Sequence, residues 1–326
     1  MPASEPELIE RYLLRAGAER ADVILGIGDD AALLRAPADQ ELIVTTDALI
    51  EGAHFLPGAA AHSLGHRALA VNLSDLAAMG AEPAWALASL VLPQADENWL
   101  REFAAGFGAL ARTEGVALVG GNLSRGPLSI TVQLTGFAPP GMALRRSGGR
   151  PGDWLFVSGT LGDARAGRLL ASGEPPVPAG QPAQLQALQQ RFEYPTPRIA
   201  LGRALRGVAS ACMDLSDGLL ADLPRLAGAS GCAAQLRIVD LPLSAPLRAL
   251  CGAQAWQQAL QGGEDYELLF SVPETHAAAI AALAVQLKVP LSACGRLQPG
   301  SGIELLGEAG VMQFSASSFD HFAALP

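Results

Sequence analysis

The sequence predicts an α/β protein of two domains. Three observations carry that expectation. Short apolar runs that read as strands alternate with longer segments of helical periodicity, and a stretch rich in proline, glycine and arginine interrupts the alternation around residue 145. The third is length: 326 residues at ~150 per domain leave room for roughly two cores. Half the residues are hydrophobic and 17% are charged, the composition of an ordered globular chain with no long disordered arm.

The elements follow in chain order. Residues 6–16 place Leu8, Ile9, Tyr12 and Leu13 on one helical face, and Gly17 is the expected stop. Residues 42–46 read as a buried strand. The spacing predicts a helix over 63–79 that stops at Gly80, a strand over 85–92, a helix over 98–113, a short strand over 116–119 and a longer one over 128–137. Residues 138–153, APPGMALRRSGGRPGD, read as an exposed connection between domains. Beyond it, strands are expected over 154–158, 211–214, 233–239, 266–272 and 289–294, separated by helical segments of which 277–287 is the clearest. The proline-rich residues 174–182 read as a surface loop.

Composition excludes several function classes. The balance of 22 basic against 32 acidic residues gives a net charge of −10, which argues against a nucleic-acid binder that works by neutralising phosphates. Lys288 is the only lysine and lies in QLKVP, so neither a P-loop nor a protein-kinase strand lysine is present. Any phosphates must be neutralised by metal ions, arginine and backbone amides. Cys212, Cys232, Cys251 and Cys294 form no C-x-x-C pair and read as buried free thiols. The amino terminus lacks the apolar core of a signal peptide, and the longest near-apolar run, 84–92, falls short of the ~20 residues of a membrane span. A cytoplasmic protein with no membrane partner is the expectation.

Acidic residues gather at the glycine-flanked ends of apolar runs: GIGDDAA (26–32), VTTDALIEGAHF (44–55), NLSDLAAMG (72–80), MDLSDG (213–218) and GGEDYELLF (262–270). Carboxylates so placed suit a hard cation, because Mg²⁺ takes oxygen ligands and keeps water and substrate phosphates in its shell. Asp30, Asp47, Asp75, Asp214 and Asp217 are the candidate ligands, with Thr45 and Thr46 adding oxygens. Bland readings stand beside these: Asp29-Asp30 as a turn, Asp217-Gly218 as a helix start, Ser216 as its N-cap. Asp75 resists most, since it interrupts an apolar helical pattern and needs a partner there. GIGDDA only mimics a dinucleotide fingerprint, because its aspartates repel pyrophosphate and AALLR continues as a strand. GGNLSRG (120–126) reads as a phosphate-wrapping loop or a plain turn, and Arg145-Arg146 as a phosphate clamp or two solvated arginines. His54, in a glycine-containing loop after the VTTD cluster, is a candidate ligand contact. There is no G-x-S-x-G or H-E-x-x-H.

In this order the clusters resemble the thiamine-monophosphate kinase family of the aminoimidazole-ribotide-synthetase-like ATP-binding superfamily. GIGDDAAL, TTDALIEGAHF, ALAVNLSDLAAMGAEP, the arginine connection, DLSDG and GGEDYELLF carry the resemblance almost end to end. It implies a two-domain aminoimidazole-ribotide-synthetase-like fold, with an N-terminal ATP/Mg-binding and dimerisation domain over 1–138 and a C-terminal α/β domain over 150–326 that completes the active site. It also implies ATP and thiamine monophosphate as substrates, several Mg²⁺ ions, and a homodimer paired through the N-terminal sheets.

Position by position, the resemblance places metal ligands at Asp30, Thr45, Thr46, Asp47, Asp75, Asn122, Asp214 and Asp217, with Asp47, Asp75 and Asp214 at the catalytic centre. It places nucleotide contacts at Gly121, Asn122, Arg146 and Ser216, and substrate contacts at His54, Glu264 and Phe319. The family loop usually reads Gly-Gly-Asp-Thr where this chain has Gly120-Gly121-Asn122-Leu123, so a carbonyl oxygen replaces a charge. A monophosphate acceptor has a second pKa of about 6, so its oxygen is largely ionised at pH 7 and needs no catalytic base. Two other readings remain: another ATP-dependent synthetase of the superfamily, and a catalytically impaired thiamine-phosphate binder, which Asn122 motivates.

Overall fold

In the computed structural model, which describes residues 4–173 and 181–312, the chain forms two units, Met1–Ala143 and Leu144–Pro326. In the first, a ribbon of β1 (Val23–Leu25) and β2 (Leu33–Leu34) precedes a four-stranded sheet of β3 (Glu41–Ile50), β4 (Glu82–Leu92), β5 (Ala117–Arg125) and β6 (Ser129–Ala138). The order is β3-β6-β4-β5, antiparallel except where β5 runs parallel to β4.

Register assigns the faces of this sheet. Ile130, Val132 and Leu134 of β6 are fully buried and pair with Leu49, Asp47 and Thr45 of β3. That face lies under the Ala61–Ala78 and Glu97–Glu114 helices, both close to their expected spans. The two helices approach closely at Gly106, where a Cβ would overlap the backbone carbonyl of His62. The Glu97–Glu114 helix is bounded by its sequence: the Asp96 side chain accepts from the Asn98 and Trp99 amides, and Gly115 ends it in a left-handed conformation.

Several expectations change. The strand expected over 42–46 exists but is not buried: β3 is an edge strand, and Leu42 and Val44, 55% and 61% exposed, sit on the face opposite the helices. The short strand expected over 116–119 runs on through Gly-Gly-Asn to Arg125, because pairing with β4 continues from Trp85↔Ala117 to Leu92↔Arg125. GGNLSRG is therefore mostly strand and not a turn. The opening helix is an α-turn, Glu5–Leu8, that widens into a π-helix over Ile9–Leu13.

The second unit is a seven-stranded sheet of β7 (Trp154–Ser158), β8 (Ala211–Asp214), β9 (Ala233–Arg237), β10 (Leu268–Val272), β11 (Leu291–Gln298), β12 (Ile303–Gly307) and β13 (Gly310–Met312). Its order is β13-β12-β9-β11-β7-β10-β8, with only the β12–β9 pair parallel. Leu155, Val157, Met213, Leu236 and Leu269 form its core with Leu219, Leu223 and Leu226 of the Leu219–Ala229 helix. The short strands β12 and β13 carry no clear signal in the sequence.

Half of the expected exposed connection packs onto this unit. Leu144 is buried, the Arg145 carbonyl accepts from the Cys212 amide at 2.8 Å, and the Gly152 amide donates to the Leu297 carbonyl at 2.9 Å. Cys212, Cys232 and Cys294 are buried free thiols as expected, whereas Cys251 is only partly buried. Lys288 is exposed and closes the Ala277–Leu287 helix in a left-handed conformation, φ 54°. Residues 174–180 of the proline-rich stretch and Phe319 lie outside the described residues. No described helix is long and apolar enough to cross a membrane.

Candidate active site

In the first unit the pleat of β3 divides the TTD cluster. Thr45 and Asp47 fall on the helix-covered face and Thr46 on the opposite one. Asp75, half-buried on the Ala61–Ala78 helix, receives a hydrogen bond from the Thr45 hydroxyl. The carboxylate that the apolar helix pattern left needing a partner thus has one in the Thr45 hydroxyl. Thr46 donates to the Val132 carbonyl at 3.1 Å, and Asp47 is exposed at the sheet edge. The Ile50 amide donates to Nδ1 of His54 at 3.1 Å, so in the neutral ring the proton resides on Nε2.

Asp30, Gly121 and Asn122 line one cavity of about 980 Å³, whose walls combine apolar residues such as Leu13, Leu87 and Leu118 with Glu10, Asp29, Gln133 and Thr135. Asn122 pairs in register with Ser89, whose β6 neighbour is Thr131, which puts it on the open face of the sheet and not on that of Thr45 and Asp75. Gly121 has φ 147°, and a Cβ there would overlap the Ala88 carbonyl oxygen. Only glycine fits this strand position.

In the second unit β8 and β10 bring two clusters side by side. Asp214, buried at the end of β8, pairs with Leu268. Past the strands, the Leu215 amide donates to the Glu267 carbonyl at 2.9 Å, the Tyr266 amide to the Leu215 carbonyl at 3.0 Å, and the Glu264 amide to the Ser216 carbonyl at 2.8 Å. Asp214, Ser216, Asp217 and Glu264 therefore belong to one pair of hydrogen-bonded loops.

Ser216 is not the N-cap. Gly218 holds that position, and Asp222 reaches back from the helix to accept the Asp217 and Gly218 amides at 3.0 and 3.2 Å. Burial pushes the Asp222 carboxyl up to about 6, against the pull of the Asp217 amide and Arg225. Arg225 links Asp222 to Asp217, 2.7 Å from each. Arg146 is exposed, and its carbonyl accepts from the Ser230 hydroxyl at 3.1 Å.

Sequence reasoning missed the carboxylates behind the loops. Glu267 has no exposed surface and accepts from Ser158 at 2.5 Å, Arg191 at 2.8 Å and Arg198 at 2.6 Å. Asp265 accepts the Gly162 and Ala164 amides at 2.6 and 3.2 Å. The available signal was the concentration of three carboxylates in four residues, Glu264, Asp265 and Glu267, which solvent alone cannot serve just before a buried strand. Burial pushes the Asp265 carboxyl up to about 7 from 3.8. Between those values the folded protein binds more protons than the unfolded chain, so stability is expected to fall as pH rises from about 4 to 7. Thermal unfolding across that range checks this: Asp265→Asn should flatten the decline by a few degrees, and an unaltered slope would remove Asp265 as its source.

Oxygen donors dominate both units, and no three His, Cys, Asp or Glu side chains among the described residues form a ready cluster for a metal ion. Hard carboxylate and hydroxyl oxygens fit Mg²⁺, which takes part of its shell from water and substrate phosphates.

Two sheet-based units carrying these acidic clusters match the AIR synthase related family: its N-terminal domain matches residues 28–138 and its C-terminal domain residues 150–308. Thiamine-monophosphate kinase of Salmonella typhimurium is 45% identical over 325 residues, 99% of each chain. The chain belongs to the thiamine-monophosphate kinase family. The crystal structure of thiamine-monophosphate kinase from Stenotrophomonas maltophilia K279a matches with a TM-score of 0.86 and 46% identity, covering 93% of this chain and 96% of that one. AaThiL complexed with AMPPCP and TMP matches with a TM-score of 0.78 and 36% identity, covering 91% and 92%.

Proposed function

We propose that the chain transfers the γ-phosphoryl group of ATP to thiamine monophosphate, giving thiamine diphosphate and ADP, with Mg²⁺ held by its aspartates. The observation that carries this reading is the set of carboxylates Asp30, Asp47, Asp75, Asp214 and Asp217 in a chain whose only lysine caps a helix. Asp30, Thr45, Thr46, Asp47, Asp75 and Asn122 are the oxygen ligands of the first unit, and Asp214 and Asp217 those of the second. The chemistry a divalent cation supplies there is neutralisation of facing phosphate charges.

The protein's own groups do the rest. Gly121 lets a nucleotide approach the backbone, Ser216 adds a further contact, and Arg146 offers a planar fork to phosphate oxygens. His54 donates from Nε2 and Glu264 faces the cationic thiazolium, while Phe319 supplies an aromatic contact. The acceptor oxygen is already ionised, so the residues orient and neutralise and none deprotonates it. Incubation with ATP, Mg²⁺ and thiamine monophosphate should yield the diphosphate by chromatography. Its absence would sink the assignment.

Asn122→Asp is expected to lower the Mg²⁺ concentration for half-maximal rate several-fold, since a charge returns to a carbonyl position. Identical Mg²⁺ titrations for the two proteins would remove Asn122 from the metal shell. The exposed Leu42, Val44, Ile50 and Leu87 on the open sheet face suit pairing with a second copy of the chain. Sedimentation equilibrium reads that directly: a homodimer supports the pairing, and a monomer at high concentration rejects it.

A further inference from the structure

Glu264 and Tyr266 both adopt left-handed backbone conformations, φ 73° and 50°, a region unfavourable for residues with a Cβ. Two such residues within three positions persist only if their surroundings hold them. One restraint is the set of backbone bonds to Leu215 and Ser216. A second is Glu267, locked between Arg191 and Arg198 immediately after the turn.

The third restraint is Asp265. A helix leaves its first amides without intrahelical partners, and the Asp163–Ser172 helix begins at Gly162, which has no side chain with which to cap it. Asp163 does not serve, because its two oxygens accept from the Thr160 and Ser244 hydroxyls, each at 2.6 Å. The cap comes instead from Asp265, whose two oxygens take the Gly162 and Ala164 amides from the middle residue of the left-handed turn. Any shift of Asp265 moves the backbone that carries Glu264.

We propose that Asp265 is a positioning residue for acceptor recognition: by capping the Asp163–Ser172 helix with both carboxylate oxygens, it fixes the turn that presents Glu264 to thiamine monophosphate. This rests on the reading of Glu264 as an acceptor contact. It assigns Asp265 a role through Glu264 and no contact of its own with the substrate.

A double-mutant cycle on the full chain tests it, with steady-state kinetics and thermal unfolding read for each protein. Asp265→Asn keeps the shape and loses one acceptor. It is expected to raise KM for thiamine monophosphate about tenfold while kcat and KM for ATP change less than about twofold. In the Glu264→Gln background it should add no further rise, because both changes remove the same interaction. Should Asp265→Asn fail to fold, Asp265→Ser, which retains one acceptor, is read in the same way.

An additive effect on KM would overturn the proposal, as would a lowered Tm with KM unmoved while Glu264→Gln raises it; the latter result would leave Asp265 a structural cap. If Glu264→Gln itself leaves KM unchanged, the acceptor-contact reading fails, and the proposal with it.

Discussion

Asp75→Asn is expected to lower kcat by on the order of 10³ with little change in Tm. The substitution removes a charge and keeps the side chain's shape. The carbonyl oxygen of the new asparagine would still accept the Thr45 hydroxyl, and the buried neighbours on the helix, Leu73, Leu76 and Ala77, are untouched. What is lost is the negative charge that offsets a divalent cation beside two phosphates. Steady-state rates at saturating Mg²⁺, read beside thermal unfolding, separate the two effects. Near-normal turnover would take Asp75 out of the mechanism, and a collapsed Tm would make it a folding residue.

The largest effect on stability is expected from Glu267→Gln. Arg198 and Arg191, with 16% and 21% of their side chains exposed, share this one fully buried carboxylate. Removing its charge leaves guanidinium groups in a poorly hydrated site without a counter-charge, a loss of about 3–5 kcal/mol when one partner of a buried pair is deleted. For a unit of this size that corresponds to a drop of about 10 °C in the transition of the Leu144–Pro326 unit. Calorimetry checks it. A shift of a degree or less would mean that the arginines find water or another acceptor.

Periodicity made much of this architecture legible. The helices at Ala61–Ala78, Glu97–Glu114 and Ala277–Leu287 show their apolar spacing and their stops, and β6 shows as a long apolar run. Burial was less legible. The run Leu42-Ile43-Val44 is equally apolar on both faces, and only the strand order reveals that β3 is an edge. The extension of β5 through Gly120, Gly121 and Asn122 was hidden because these are poor strand formers that pairing with β4 overrides.

In the candidate site the sequence exposed the acidic clusters but not the partners that orient them. Ser216 looked like the cap because it precedes a helix, whereas Asp222 reaches back from within that helix to do the capping. Asp265 and Glu267 stood inside a motif already singled out, yet their partners lie far away in the chain, at Gly162, Ser158, Arg191 and Arg198. No local pattern announces such pairs.

The solitary ammonium at the end of the Ala277–Leu287 helix has a practical corollary. Amine-directed dyes and surface chemistries ignore guanidinium groups, so, apart from the amino terminus, they would find one exposed handle, Lys288. A fluorophore or tether attached there would report from a single defined place, and none of the side chains assigned above to ATP, metal or thiamine monophosphate would carry the label.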